Sequence, residues 1–151
     1  MVKQRPKTKK AAAKRTSASS AGAHRRTRQD HARELAEDYV ELIDDLIDET
    51  GEARAVDIAA RLGVTHVTVA NTVNRLKRAG LVTSEPYRSI FLTEEGKGLA
   101  KAARERHTLV LDFLLALGVT PTEAELDAEG IEHHLGAGTL QAMKRFLARA
   151  R

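Results

Sequence analysis

DIAARLGVTHVTVANTVNRLKRAGLV, residues 57–82, holds two helical periods separated by one glycine. The pattern predicts a short helix near Val56–Leu62, broken at Gly63. Val64-Thr65 then leads into a longer helix, with Thr65 as its N-cap, which runs to about Ala79 and stops at Gly80. On a helical wheel Val69, Val73 and Leu76 fall on one side of the longer helix. Thr68, Asn71, Thr72, Arg75 and Arg78 fall on the other, with Val67 and Asn74 beside them. One face therefore packs on a scaffold, and the other offers hydrogen-bonding groups.

The flanks extend this pattern. Upstream, from about Asp30, the residues Leu35, Tyr39, Leu42, Ile43, Leu46 and Ile47 keep the 3.6 period, and Gly51 ends that helix. Downstream, Leu81–Ser84 and Ser89–Leu92 are β-prone runs around Glu85-Pro86-Tyr87-Arg88, a hairpin expectation. Two helices with a tight turn, followed by a hairpin, describe a winged helix-turn-helix. In such a unit Thr65, His66, Val67, Thr68, Asn71 and Thr72 are placed to reach base edges, with Val67 suited to a thymine methyl. Arg75, Lys77 and Arg78 suit phosphates, and Arg88 at the hairpin tip suits a minor groove or the backbone. The shortage of aromatics argues against stacking on single strands.

The chain continues as helices. Thr93 caps a long one whose first turn holds Glu94 and Glu95, as the helix dipole favours, and which ends near Leu117-Gly118. Thr120-Pro121-Thr122-Glu123 combines a capping box with proline at the first helical position. That helix is expected to carry DAEGIEHHL, residues 127–135, in which Glu129, Glu132, His133 and His134 crowd together. A last helix is expected from Thr139 to about Arg149. The fold class is thus mainly α with a small β-hairpin: a winged helix-turn-helix over 30–93, then an all-helical domain over 94–151. The faces Leu109/Phe113/Leu117 and Leu140/Met143/Phe146/Leu147 exceed what so small a domain buries alone, which points to a homodimer.

Composition bounds the remainder. The chain of 151 residues has no cysteine, which excludes disulfides and thiolate chemistry. The longest apolar run, Leu109 to Leu117, is interrupted by Asp112 and is too short for a bilayer, so no membrane partner is expected. Ala11–Ala13 is followed at once by Lys14 and Arg15, so no secretory signal is expected and the cytoplasm is the default. The net charge of +4 hides an asymmetry: residues 1–29 carry ten Lys/Arg and no acid, and the other 15 basic and 21 acidic residues sum to −6. Residues 1–29 read as a disordered basic tail: a solvated leader, an arm on nucleic-acid phosphates or, as the lesser alternative, an acid-free, Arg/Ser-rich organellar transit peptide.

The acidic positions carry the chemistry. Glu129 with Glu132, and Glu129 with His133, share a helical face, where two carboxylates and an imidazole invite a cation. Asp38 and Glu41 are also neighbours on the first helix, and Asp45 and Asp48 continue their stripe. Taken alone this stripe reads as a solvated face, and His107 as a packed or surface histidine.

DYVELIDDLIDETGEARAVDIAARLGV, ERHTLVLDFLLALGV and DAEGIEHHL together resemble the manganese-responsive branch of the diphtheria-toxin-repressor family, over about Leu35 to Leu147. The resemblance implies a metal set of Asp38, Glu41, His107, Glu129, Glu132 and His133. It also implies a homodimer that binds double-stranded DNA at a pseudo-palindromic operator, takes no small-molecule substrate, and represses manganese uptake genes. In the iron-responsive branch sulfur-bearing side chains stand where this chain has Asp38 and Glu129, so their absence favours manganese. Four carboxylates and two neutral imidazoles suit a hard ion such as Mn²⁺ and balance two of them per subunit. Larger family members add an SH3-like domain, for which no room is left before Arg151. Ser89 stands where relatives often carry glycine, and His134 reads as supporting or surface. The alternatives are a winged-helix regulator of another divalent metal or an organic ligand, a carboxylate-bridged dinuclear metalloenzyme, and a tail-driven DNA binder of little sequence preference.

Overall fold

The computed structural model describes residues 9–150. Its elements are α1 (Lys9–Thr50), α2 (Ala55–Leu62), α3 (His66–Arg78), β1 (Val82–Thr83), β2 (Phe91–Leu92), α4 (Glu94–Ala116), α5 (Pro121–Ile131), a 3₁₀ turn (Glu132–His134) and α6 (Ala137–Ala150). Two compact units divide the chain, one ending at Arg33 and the other beginning at Glu34.

In the first unit the backbone is helical from Lys9, not from Asp30 as the periodicity suggested. The basic tail expected to be disordered over 1–29 coincides with this helix from Lys9 onward, and residues 1–8 lie outside the described part. The reason is compositional: Ala, Lys and Arg are among the strongest helix formers, and no Pro or Gly interrupts Lys9–Ala21. Residues 24–33 are exposed.

The second unit holds the winged helix-turn-helix. Tyr39, Val40, Ile43 and Leu46 recur at helical spacing on α1 and are buried against Ile58 of α2, Val69, Val73 and Leu76 of α3, and Val82, Ile90 and Leu92 of the hairpin. Gly63 adopts the left-handed conformation (φ 65°) that closes α2. The Thr65 hydroxyl then caps α3 by accepting from the Thr68 N–H at 3.2 Å. Thr72, expected on the exposed face of α3, is instead buried. Positions 69, 72, 73 and 76 form one continuous stripe at i, i+3, i+4 and i+7, so the scaffold side of α3 is wider than the apolar residues alone indicate.

The hairpin pairs Val82 with Leu92 and Thr83 with Phe91, antiparallel. A further bridge joins Ala53 to Ile90, where the Ile90 N–H donates to the Ala53 carbonyl at 2.7 Å. Ser89 supports the same edge, since its hydroxyl donates to the Glu52 carboxylate. Tyr87 at the tip has φ 61° and is fully exposed.

Thr93 caps α4, accepting from the Gly96 N–H at 3.1 Å and donating to the Gly80 carbonyl at 2.6 Å. Gly96 is required here, because a Cβ would lie 2.0 Å from the Leu81 carbonyl oxygen. Ala100 places the start of α4 in the winged-helix core, while Val110 belongs to a second, thinner core with Ala128 and Met143. Phe113 of α4 meets Phe146 of α6 edge to face at 5.3 Å. Met143 is thus covered within the chain, contrary to its expected place on a free face. Leu115, Leu117, Leu126 and Phe146 remain exposed. Among the described residues no helix is long and apolar enough to cross a membrane.

Candidate metal centre

Three elements of the second unit deliver acids and imidazoles to one cleft. From α1 come Asp38 and Glu41, three apart and on the side of the helix turned from its apolar stripe. From α4 comes His107, and from the end of α5 and the following turn come Glu129 and Glu132. Asp38, Glu41, Asp45, His107, Glu129 and Glu132 line the cleft, with Leu42 and Leu62 beside them. One donor atom from each of His107, Glu129 and Glu132 lies within 4.8 Å of the others.

Local backbone geometry decides which side chain points where. Glu132 and His133 do not continue α5 but sit in the 3₁₀ turn, which is tighter than the helical wheel assumes. Glu132, 3% exposed, turns its carboxylate between both histidines. Its Oε2 is 2.8 Å from His107 Nδ1, and its Oε1 is 3.4 Å from His133 Nε2. His133 Nε2 also lies 3.3 Å from Asp38 Oδ1. The Glu129 carboxylate is 3.8 Å from His107 Nδ1. His134 is exposed.

The electrostatics register a shortage of positive charge. Burial pushes the Asp38 carboxyl up to about 6; His133 opposes the rise, and Glu129 adds to it. Burial likewise raises Glu41, with Glu132 adding to the effect, and raises Glu132 against the pull of His107 and His133. For His107 burial disfavours the charged ring, yet Glu132 and Glu125 outweigh it and the net direction is upward. Carboxylates brought together and partly dried in this way gain from a shared cation, and an all-oxygen-and-imidazole donor set fits a hard divalent ion.

Sequence reasoning passed over four residues around this cleft. Glu125 reaches His107 Nε2 at 3.1 Å from one turn before Glu129. Arg104 spans from α4 to Asp44 at 3.2 Å and Asp45 at 2.6 Å. Arg106 pairs with the buried Glu37. Glu37 was legible as an anomaly, since it precedes the buried Val40 by three and so falls on the core face of α1.

On the recognition side, His66, Val67, Thr68, Asn71, Arg75, Lys77 and Arg78 are exposed along α3. Lys77 already donates to the Ser84 carbonyl at 2.6 Å, and Arg88 pairs with Glu85 at 3.2 Å.

Comparison with known proteins follows the same division. Residues 32–90 match the N-terminal DNA-binding domain of the iron-dependent repressors, and residues 93–151 match their metal-binding and dimerisation domain. The transcriptional regulator MntR of Escherichia coli O157:H7 is 56% identical over 122 residues, covering 81% of this chain and 79% of that protein. The HTH-type transcriptional regulator MntR of Listeria monocytogenes serotype 4b (strain F2365) is 42% identical over 99 residues, covering 66% and 70%. Among solved structures, a manganese-dependent transcriptional repressor in complex with manganese superimposes with a TM-score of 0.67 at 27% identity, over 75% of this chain and 52% of that one. The manganese regulator SloR gives 0.65 at 27% identity, over 75% and 53%. The chain spans about half the length of these solved structures.

Proposed function

This chain belongs to the iron-dependent repressor family, and from that premise we propose that it is a manganese-activated, DNA-binding transcriptional repressor, acting as a homodimer and not as an enzyme. The observation that carries the reading is the convergence of donors. Asp38 and Glu41 belong to α1, whose opposite face is the floor of the winged-helix core. His107, Glu129, Glu132 and His133 come from the elements matched to the metal-binding and dimerisation domain.

A bound divalent ion would supply the positive charge that these carboxylates lack. Asp38 and Glu41 would then be held to His107, Glu129, Glu132 and His133, and α1 fixed against α4. Because α3 packs on α1, its position in the dimer follows. Two recognition helices read a pseudo-palindrome only when their separation matches a turn of DNA. Affinity for metal and affinity for DNA are then coupled through one conformational equilibrium. We assign two ions per subunit, on charge balance with the four carboxylates.

Thr65, His66, Val67, Thr68 and Asn71 are assigned to base edges, and Arg75, Lys77, Arg78 and Arg88 to phosphates. Thr72 is expected in the same set and is buried. The cytoplasm is the compartment this function needs, and manganese uptake genes are the expected targets.

The test is fluorescence anisotropy of the metal-stripped protein on its own upstream promoter fragment, at fixed salt, with Mn²⁺, Zn²⁺, anaerobic Fe²⁺ or EDTA. Tight binding with Mn²⁺ that is lost in EDTA is expected. Equal binding in EDTA would overturn the reading.

A further inference from the structure

Glu37 is 1% exposed, carries a formal charge, and is not one of the six expected ligands. Arg106 and His133 are among the partners of its carboxylate. Arg106 donates from Nη2 to Oε2, and from Nη1 to Oε1 at 3.4 Å. His133 Nδ1 lies 2.8 Å from the same Oε2. All three side chains are nearly closed to solvent, at 2% for Glu37, 12% for Arg106 and 6% for His133.

His133 has a choice between two neutral tautomers. With the proton on Nδ1 the ring donates to Glu37, and the Nε2 lone pair faces Asp38 Oδ1 at 3.3 Å and Glu132 Oε1 at 3.4 Å. Nε2 then presents a lone pair beside two carboxylate oxygens, which suits a cation. With the proton on Nε2 the ring donates toward those carboxylates, and Nδ1 must accept. The donor available for that is Arg106 Nη2, 3.3 Å away. Arginine has no acceptor, so it can support only this second, metal-excluding tautomer. Glu37 opposes it twice: it offers Nδ1–H the closer partner, and it occupies the guanidinium.

We propose that Glu37, anchored by Arg106, is a positioning residue of the metal centre: it accepts from His133 Nδ1–H and leaves Nε2 free to face Asp38 and Glu132. This rests on the reading that the cluster holds a divalent ion. A carboxylate behind a ligating imidazole fixes the tautomer and ring orientation and raises its basicity.

The experiment measures Mn²⁺ affinity by electron paramagnetic resonance of the free ion, for the wild-type dimer, Glu37→Ala and Glu37→Gln. In parallel, ¹⁵N–¹H spectra of the zinc-loaded proteins follow the His133 ring N–H. The wild type is expected to show a slowly exchanging Nδ1–H. Glu37→Ala should lose it and bind Mn²⁺ about 10–100-fold more weakly. Glu37→Gln keeps an acceptor oxygen without the charge, so it should restore the signal with faster exchange and recover part of the affinity. A purely structural role would lower the melting temperature without moving the ring N–H. Should the alanine variant fail to fold, Glu37→Gln decides alone: affinity and exchange both equal to wild type overturn the inference. A wild-type chain that takes up no Mn²⁺ overturns the underlying reading, and the inference with it.

Discussion

The winged-helix half and the half built by α4–α6 are held together differently. The first buries Tyr39, Ile43, Ile58, Val69 and Val82 in one apolar core closed by the hairpin. The second, among the described residues, buries Val110, Met143 and the small Ala103, Ala124 and Ala128, leaves Leu115, Leu117, Leu126 and Phe146 exposed, and buries Glu132. Burial of apolar area specifies a fold from the chain's own residues. On the proposed function, the exposed leucines and the buried carboxylate would be completed from outside the chain, by a second subunit and by a cation. A sensor needs that asymmetry: the reading part stands complete, and the controlling part waits for what it measures.

The sharpest way to break this division is Glu132→Ala. Mn²⁺-dependent DNA binding should fall by more than about 100-fold, beyond the range for residues behind the ligands. Circular dichroism and the dimer mass from light scattering should not change. Loss of the dimer would show that metal and subunit contacts are one system.

Ile43→Ala should do the reverse. Truncating this fully buried side chain is expected to cost about 2–5 kcal/mol, read as a lower urea midpoint at unchanged slope. Metal affinity of the folded fraction should stay close to wild type. An unchanged midpoint would mean that the apolar core is not what holds the winged half.

The pH dependence should separate the two halves again. The Asp38 carboxyl is raised to about 6, so its contribution to metal-free stability is present below its ordinary value and is lost as pH rises through 6. Metal binding needs the ionised form, so Mn²⁺ affinity should drop up to about tenfold for each pH unit below that point. Urea midpoints between pH 5 and 7 should therefore diverge, falling in EDTA and rising with Mn²⁺. Parallel profiles would remove Asp38 from the site.

The smallest expected effect is Arg75→Ala. Binding should weaken by a similar factor on operator and non-operator DNA, with the salt slope reduced by about 1. A loss confined to the operator would assign Arg75 to base reading.

What was legible in the sequence was local. Gly63 and Thr65 mark the turn between α2 and α3 because left-handed geometry and a capping hydroxyl depend on neighbours only. Thr93, Pro121 and Gly118 bound the later helices for the same reason. The Ala53–Ile90 bridge was not legible, since one residue pair far apart in sequence leaves no period. Thr72 misled because a hydroxyl reads as polar while its stripe position places it inside. At the acidic cleft the residue types were visible in the sequence but their aim was not. A uniform wheel puts Glu129 and His133 on one face, whereas the 3₁₀ turn swings His133 toward Glu37 and Asp38. Glu37 carried a signal, a charge on the core face of α1, whose meaning required Arg106 from α4.

The contact between Glu37 and His133 joins positions 96 apart in the chain. Loops of that length close at greater entropic expense than the turn between α2 and α3 or the hairpin, so the cleft is expected to assemble late in folding. An ion that recognises only the closed cleft would then bind after the transition state. Manganese should then leave the refolding rate unchanged and slow unfolding, lengthening the lifetime of each folded molecule. In a cell whose proteases sample the opened chain, metal supply would set not only whether this regulator acts but how long it persists.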